Sequence, residues 1–360
     1  MKHLFLSCLA LLLVHFACSQ DMFSEEDFVV THTTPSGSQV SLAGTLTIPL
    51  SASSLPFPAV ILVSGSGQQD RDGTLFGHKP FRTIAHYLAE RGIASLRYDD
   101  RGVGGSLCSD SKSDVEMATS FDFADDAELL FQHLRLHPAI DSLHVGFIGH
   151  SEGGAIAPIV AARNAQVAFV VMLAGQGCTG ADVLLQQNQA IFAGMGYADS
   201  LVALRVEFMR RCLEATALFP ASQYDSVFKA TANDLAGHLP KKQRRSIGLL
   251  GGDAFILARQ IQIPWMQTFI RLDPADYLGK VRCPILALNG DRDCQVIASP
   301  NLEAIGRLTG GHAQTHLLPD LNHLFQHCTT GMTDEYASIS EDFDDATLKL
   351  IADWILASLR

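Results

Sequence analysis

The chain has 360 residues, 47% hydrophobic and 18% charged, and 26 Lys and Arg stand against 38 Asp and Glu for a formal net charge of −12. That composition supports a sizeable core and excludes a mainly disordered chain, while the length fits one large α/β domain or two average ones. The acidic balance argues against nucleic acid as a partner, since binding phosphates needs clustered Lys and Arg, and the one such run is the short Lys241-Lys242-Gln243-Arg244-Arg245.

In chain order, residues 1–19 read as a signal peptide. Lys2 and His3 supply the charged end, 4–17 form an apolar run too short to span a membrane, and Ala17-Cys18-Ser19 offers small residues for cleavage after Ser19. The rival is a lipoprotein acylated at Cys18, for which His15 and Phe16 make a poor recognition sequence. The pattern predicts an exported protein, periplasmic or secreted, without a transmembrane segment. Of its eight cysteines two lie in this leader. The other six form no CxxC pair, so zinc has no support, and disulfides in an exported chain remain open beside buried free thiols.

Strands are predicted at 28–34, 40–48 and 59–63. The third runs into Ser64-Gly65-Ser66-Gly67, a loop whose glycines allow a substrate close to the backbone. A helix at 80–91, a strand at 94–98, a helix at 121–136 and a strand at 144–148 follow. The later strands lack polar alternation, as expected of strands buried on both faces of a parallel sheet. The strand at 144–148 leads into Gly149-His150-Ser151-Glu152-Gly153, which matches G-x-S-x-G, and a helix at 153–163 follows. Strand, tight turn and helix are the setting of a nucleophile elbow, with Ser151 as nucleophile. His150 is expected to pack inside that elbow.

After a strand at 168–173 the alternation breaks. Residues 182–270 show no convincing strand and carry Met, Leu, Phe and Gln at helical spacing, too long a stretch for one crossover. They are expected to form a helical lid inserted in the core. A strand at 285–288 then ends in Gly290-Asp291-Arg292-Asp293, where the acid that orients the base belongs. Both aspartates qualify, with Asp293 preferred and Asp291 left to the turn. A strand at 315–318 precedes Pro319-Asp320-Leu321-Asn322-His323, which puts His323 in the position of general base. His312, His316 and His327 crowd nearby, but no carboxylate or Cys completes a helical metal-ligand set. The last helix is predicted at 346–358. The backbone N–H of Glu152 should donate to an oxyanion, with a second donor from Ser66 or Gly67, Ser66 preferred. The Glu152 side chain is assigned only the role of a carboxylate favoured by its helix N-terminus.

Gly65-Ser66-Gly67-Gln68-Gln69-Asp70-Arg71-Asp72-Gly73, Arg97-Tyr98-Asp99-Asp100-Arg101-Gly102-Val103-Gly104-Gly105-Ser106 and Gly149-His150-Ser151-Glu152-Gly153-Gly154 resemble the bacterial serine esterases of the α/β-hydrolase superfamily, with the prolyl oligopeptidase and dienelactone hydrolase branches as relatives. Gln68 stands where such esterases more often carry Pro. The resemblance covers about residue 57 to the C-terminus and implies Ser151, Asp293 and His323 as the triad, in agreement with the spacing. Asp70, Arg71 and Asp72 are expected to pin their loop by ion pairs rather than touch substrate, and Asp99, Asp100 and Arg101 to fix a strand-end turn.

The expected fold is α/β, a doubly wound, mostly parallel sheet of the α/β-hydrolase type with a helical lid insertion. It divides into 1–19 leader, 20–181 first part of the core, 182–270 lid and 271–360 second part of the core. The expected activity is hydrolysis of a small-molecule carboxylic ester through an acyl-enzyme, with no metal or organic cofactor. The alternatives are a prolyl-oligopeptidase-type peptidase, which would normally carry a propeller for which too few residues precede the core, and a non-catalytic binding protein.

Overall fold

The structure, a computed structural model, describes residues 22–34, 37–50 and 55–359. The leader 1–19, and Cys18 with it, lies outside the described residues. The strands are β1 (Phe23–Thr33), β2 (Gln39–Pro49), β3 (Phe57–Val63), β4 (Ala94–Tyr98), β5 (Leu107–Cys108), β6 (Ile140–His150), β7 (Val170–Leu173), β8 (Ile285–Gly290) and β9 (Gln314–Leu318). They form one sheet in the order β1-β2-β4-β3-β6-β7-β8-β9, with the two-residue β5 added to β2. β1, β2 and β4 pair antiparallel, and every pairing from β4 through β3 to β9 is parallel.

The helices are α1 (Pro80–Ala89), α2 (Ser120–Leu134), α3 (Gly153–Arg163), α4 (Gly180–Gly194), α5 (Asp199–Leu218), α6 (Tyr224–Ala236), α7 (Lys241–Ser246), α8 (Gly251–Ile261), α9 (Pro264–Arg271), α10 (Ala298–Leu308) and α11 (Asp345–Ser358). The alternating side chains of β3 show why helices cover both faces. Ala59, Ile61 and Val63 face a core completed by Phe131 of α2, Ile156 of α3 and Ile305 of α10. Val60 and Leu62 face a second core with Ile84 of α1 and Ile351 of α11. Neither face of a central strand meets water, so the strand reads as an unbroken apolar run.

One expectation is corrected here, and one helix is added to those expected. β9 is not buried on both faces: it is the edge strand, and Gln314, Thr315, His316 and Leu317 are exposed. α10 had no counterpart in the pattern because Pro300 and Gly306 interrupt it; Pro300 sits in the first turn, where its missing N–H costs no intrahelical bond.

The segment between β7 and β8 carries α4–α9 and begins at Gly180, two residues before the expected boundary. Thr179 caps α4 by accepting from the Asp182 N–H at 3.1 Å, which puts Asp182 inside the first turn. Phe208, Leu213, Tyr224, Phe228, Ile247 and Ile261 give these helices a core of their own. Among the described residues no helix is long and apolar enough to cross a membrane.

Candidate active site

Strand register brings the chemistry to one edge. Val63 of β3 is level with Gly149 of β6, His150 with Leu173 of β7, Leu173 with Leu288 of β8, and Gly290 with Leu318 of β9. The loops after β3, β6, β8 and β9 therefore leave the carboxyl ends of parallel strands side by side, where open α/β sheets bind ligands.

Ser151 takes φ of +55°, a left-handed conformation costing a non-glycine residue roughly 1–2 kcal/mol. Its N–H donates to the Leu173 carbonyl at 2.8 Å, and its carbonyl accepts from Gly154 at 2.9 Å, so the turn is held from both sides. The flanking glycines answer to sterics. A Cβ on Gly149 would lie 1.9 Å from the Gly153 carbonyl oxygen, one on Gly153 2.2 Å from that of Val63, and one on Gly65 3.0 Å from the Ser151 Cβ.

His323 Nδ1 lies 2.7 Å from Asp293 Oδ2. Asp293 Oδ1 accepts from the N–H groups of Gln295 at 2.7 Å and Val296 at 3.0 Å. Both His323 and Asp293 are buried. A carboxylate only accepts here, so His323 carries its proton on Nδ1 and leaves Nε2 as a base. Asp291 stands apart: it is exposed and its Oδ1 accepts from the Asp320 N–H at 2.7 Å, tying the loop of Asp293 to the loop of His323.

His150 Nε2 lies 2.8 Å from the His323 carbonyl oxygen and so donates to it. Loss of water around the ring, and then the nearby His323, push the His150 pKa down to about 3, which keeps it neutral.

A cavity of about 270 Å³ joins Gly65, Ser66, Ser151, Glu152 and His323 to Val183 and Leu184 of α4 and Trp265, Met266 and Phe269 of α9. Ser66 lines this cavity, whereas Gly67 lines a neighbouring one. The Glu152 side chain does more than sequence reasoning assigned it. It is buried, accepts from the Ser120 hydroxyl at 2.6 Å and takes the Trp265 Nε1–H at 2.8 and 3.0 Å to its two oxygens. Burial pushes its pKa up, against hydrogen bonds from Ser120, Trp265 and Ser66. No short-range pattern ties Glu152 to a tryptophan in a different helix.

The loop charges do pair locally. Arg71 grips Asp99 through Nη2 at 2.6 Å and Nε at 3.2 Å, Asp72 takes Arg97 and Lys79, and Asp70 Oδ1 accepts from Thr74 N–H at 2.9 Å. None of the three lines the catalytic cavity. Asp100 accepts from the Ser64 hydroxyl at 2.7 Å and the Gln69 N–H at 2.8 Å, and Arg101 pairs with Asp126. Of the crowded histidines, only His327 joins a candidate metal-ligand group among the described residues. His327, Glu341 and Asp344 place ligand atoms within 4.8 Å of one another. Glu341 already takes the His327 N–H and Asp344 caps α11, which is a structural use for each carboxylate.

A family model described as serine aminopeptidase, S33 matches residues 78–327, the larger part of the chain. The chain belongs to this family. Esterase EstD of Thermotoga maritima is 26% identical over 306 residues, covering 84% of this chain and 60% of that protein, so the chain spans less than two thirds of the relative's length. Among solved structures, a hypothetical protein of Pseudomonas aeruginosa superposes with a TM-score of 0.57 at 17% identity, over 94% of this chain and 95% of the other. An esterase of Pyrococcus furiosus gives 0.53 at 14% identity, over 94% and 92%. At such identities they share the α/β-hydrolase fold with this S33 member.

Proposed function

We propose that this protein hydrolyses carboxylic esters through an acyl-enzyme on Ser151. The observation that carries the reading is that Ser151, held in its strained turn, shares one cavity with His323, whose Nδ1 is held 2.7 Å from buried Asp293. Ser151 Oγ attacks the acyl carbonyl while His323 Nε2 takes its proton. His323 then gives that proton to the departing alcohol oxygen, leaving an acyl ester on Ser151. Water, deprotonated by His323, attacks that ester and releases the acid and the serine. Asp293 orients the imidazole and stabilises its cation. The N–H groups of Glu152 and Ser66 hold the oxyanion. Helices α4–α9 act as a lid through their two ends, α4 and α9, which wall the cavity. The leader implies that this chemistry takes place after export.

The family's description raises a competing reading, removal of an N-terminal residue from a peptide. Holding the free amine of such a substrate needs an unengaged acceptor, most simply a carboxylate. Among the described residues lining the cavity Glu152 is the one acid, and its oxygens serve Ser120 and Trp265. That favours an ester. Purified protein assayed on p-nitrophenyl acetate, butyrate, octanoate and palmitate and on aminoacyl p-nitroanilides, beside Ser151→Ala, tests the reading. Ester turnover lost in the variant is the expected result; anilide turnover without ester turnover would replace the esterase reading.

A further inference from the structure

Beside the catalytic cavity lies a second one of about 640 Å³, with an apolar wall of Val115, Met117, Ala118, Phe123, Ile263 and Pro264 and with Asp100, Arg101 and Glu116 also on its lining. Small-molecule sites typically run to roughly 300–1,000 Å³, so the catalytic cavity is small for one and the neighbour is ample. Trp265 lines both. It is the second residue of α9, whose Pro264 start presets the first helical turn. The indole is half-buried and stacks on Phe269 with ring centroids 5.7 Å apart. Its N–H is held by both oxygens of Glu152, the residue next to the nucleophile. Removing the donor would leave the buried Glu152 carboxyl group with one partner fewer.

We infer that Trp265 is the specificity-determining partition between these two cavities, with the Glu152 carboxyl as the positioning residue that holds it closed. The enzyme therefore prefers esters with short acyl chains, and moving the indole aside admits a long apolar chain into the second cavity. This rests on the ester-hydrolase reading. It assigns the substrate limit to one side chain rather than to the lid as a whole.

The test is the ratio of kcat/KM on p-nitrophenyl decanoate to that on the acetate. Trp265→Ala should raise that ratio at least tenfold, mostly through a lower KM for decanoate. Trp265→Phe keeps the bulk and loses only the N–H, so it should raise the ratio about threefold and guards against misfolding of the alanine variant. Glu152→Gln should shift the ratio in the same direction in the wild-type background and have no further effect once Trp265 is alanine. An unchanged or lower ratio in folded Trp265→Ala and Trp265→Phe overturns the partition. An equal effect of Glu152→Gln with and without the indole overturns the positioning role. A wild type inactive on every ester would instead remove the esterase reading, so the two failures are distinguishable.

Discussion

Both oxygens of Asp293 are committed: Oδ2 to His323 Nδ1 at 2.7 Å, and Oδ1 to the backbone N–H groups of Gln295 and Val296 at 2.7 and 3.0 Å. The carboxylate cannot rotate away without losing two amide bonds, so the imidazole it holds has one orientation. Asp291, two residues earlier, makes its bond to Asp320 at the surface. The pair gives a sharp contrast. Asp293→Asn should lower kcat by about 10⁴, Ser151→Ala by on the order of 10⁶, and Asp291→Asn by no more than a few fold. Steady-state kinetics on p-nitrophenyl butyrate reads all three; an equal loss at Asp291 and Asp293 would contradict the assignment.

The positive φ of Ser151 predicts an ordering of two inactive variants. Glycine adopts that conformation freely and alanine does not. Ser151→Gly should therefore be about 1 kcal/mol more stable than Ser151→Ala, seen as a higher midpoint in urea unfolding. The opposite order would mean that the turn is not strained.

Gly153 packs against β3 with no room to spare, since a Cβ would lie 2.2 Å from the Val63 carbonyl oxygen and 2.5 Å from that of Ser64. Neither backbone can move without disturbing the sheet. Gly153→Ala should cost on the order of 4 kcal/mol or prevent folding, whereas Gly252→Ala, where nothing lies within 4 Å, should leave the melting temperature close to wild type. Circular dichroism melts of the two variants compare them directly.

Two cavity-lining groups titrate in opposite senses. Burial pushes Asp100 up to about 7 from its ordinary 3.8, and His150 is pushed down to about 3 from 6.5. Between about pH 4 and 7 folded Asp100 keeps a proton that the unfolded chain has lost, so its contribution to stability falls as pH rises. Between about pH 3 and 6.5 unfolded His150 holds a proton that the folded chain lacks, so its contribution falls as pH drops. The two offset where they overlap, with Glu152, also raised, on the side of Asp100. Asp100→Asn should make stability climb more steeply with pH over about 4 to 6.5, by up to about 1.4 kcal/mol per unit, and His150→Gln should do the reverse. Urea unfolding at half-unit pH steps measures both slopes; parallel profiles in all three proteins would show that neither group carries the shift.

Sequence reading went furthest where the physics is local. Gly149, Ser151 and Gly153 announce a turn because sterics within five residues demand it. Buried parallel strands such as β4 and β7 announce themselves because both faces are apolar. The exposure of β9 is not legible in this way, because an edge strand of similar composition differs only in having a neighbour on one side, and that neighbour is not encoded nearby.

By itself the sequence determined the strand–turn–helix around Ser151, the order of the candidate serine, aspartate and histidine along the chain, the long helical break before β8 and the acidic composition. All of these follow from backbone sterics, periodicity and charge over short stretches. Tertiary structure alone decided what those pieces meet. The register of β3, β6, β8 and β9 set Ser151, Asp293 and His323 around one edge, and burial separated Asp293 from Asp291. Trp265, 113 residues beyond Glu152, came to close the cavity. Contacts at such separation depend on how the sheet and the inserted helices pack as a whole, and no local pattern carries that information.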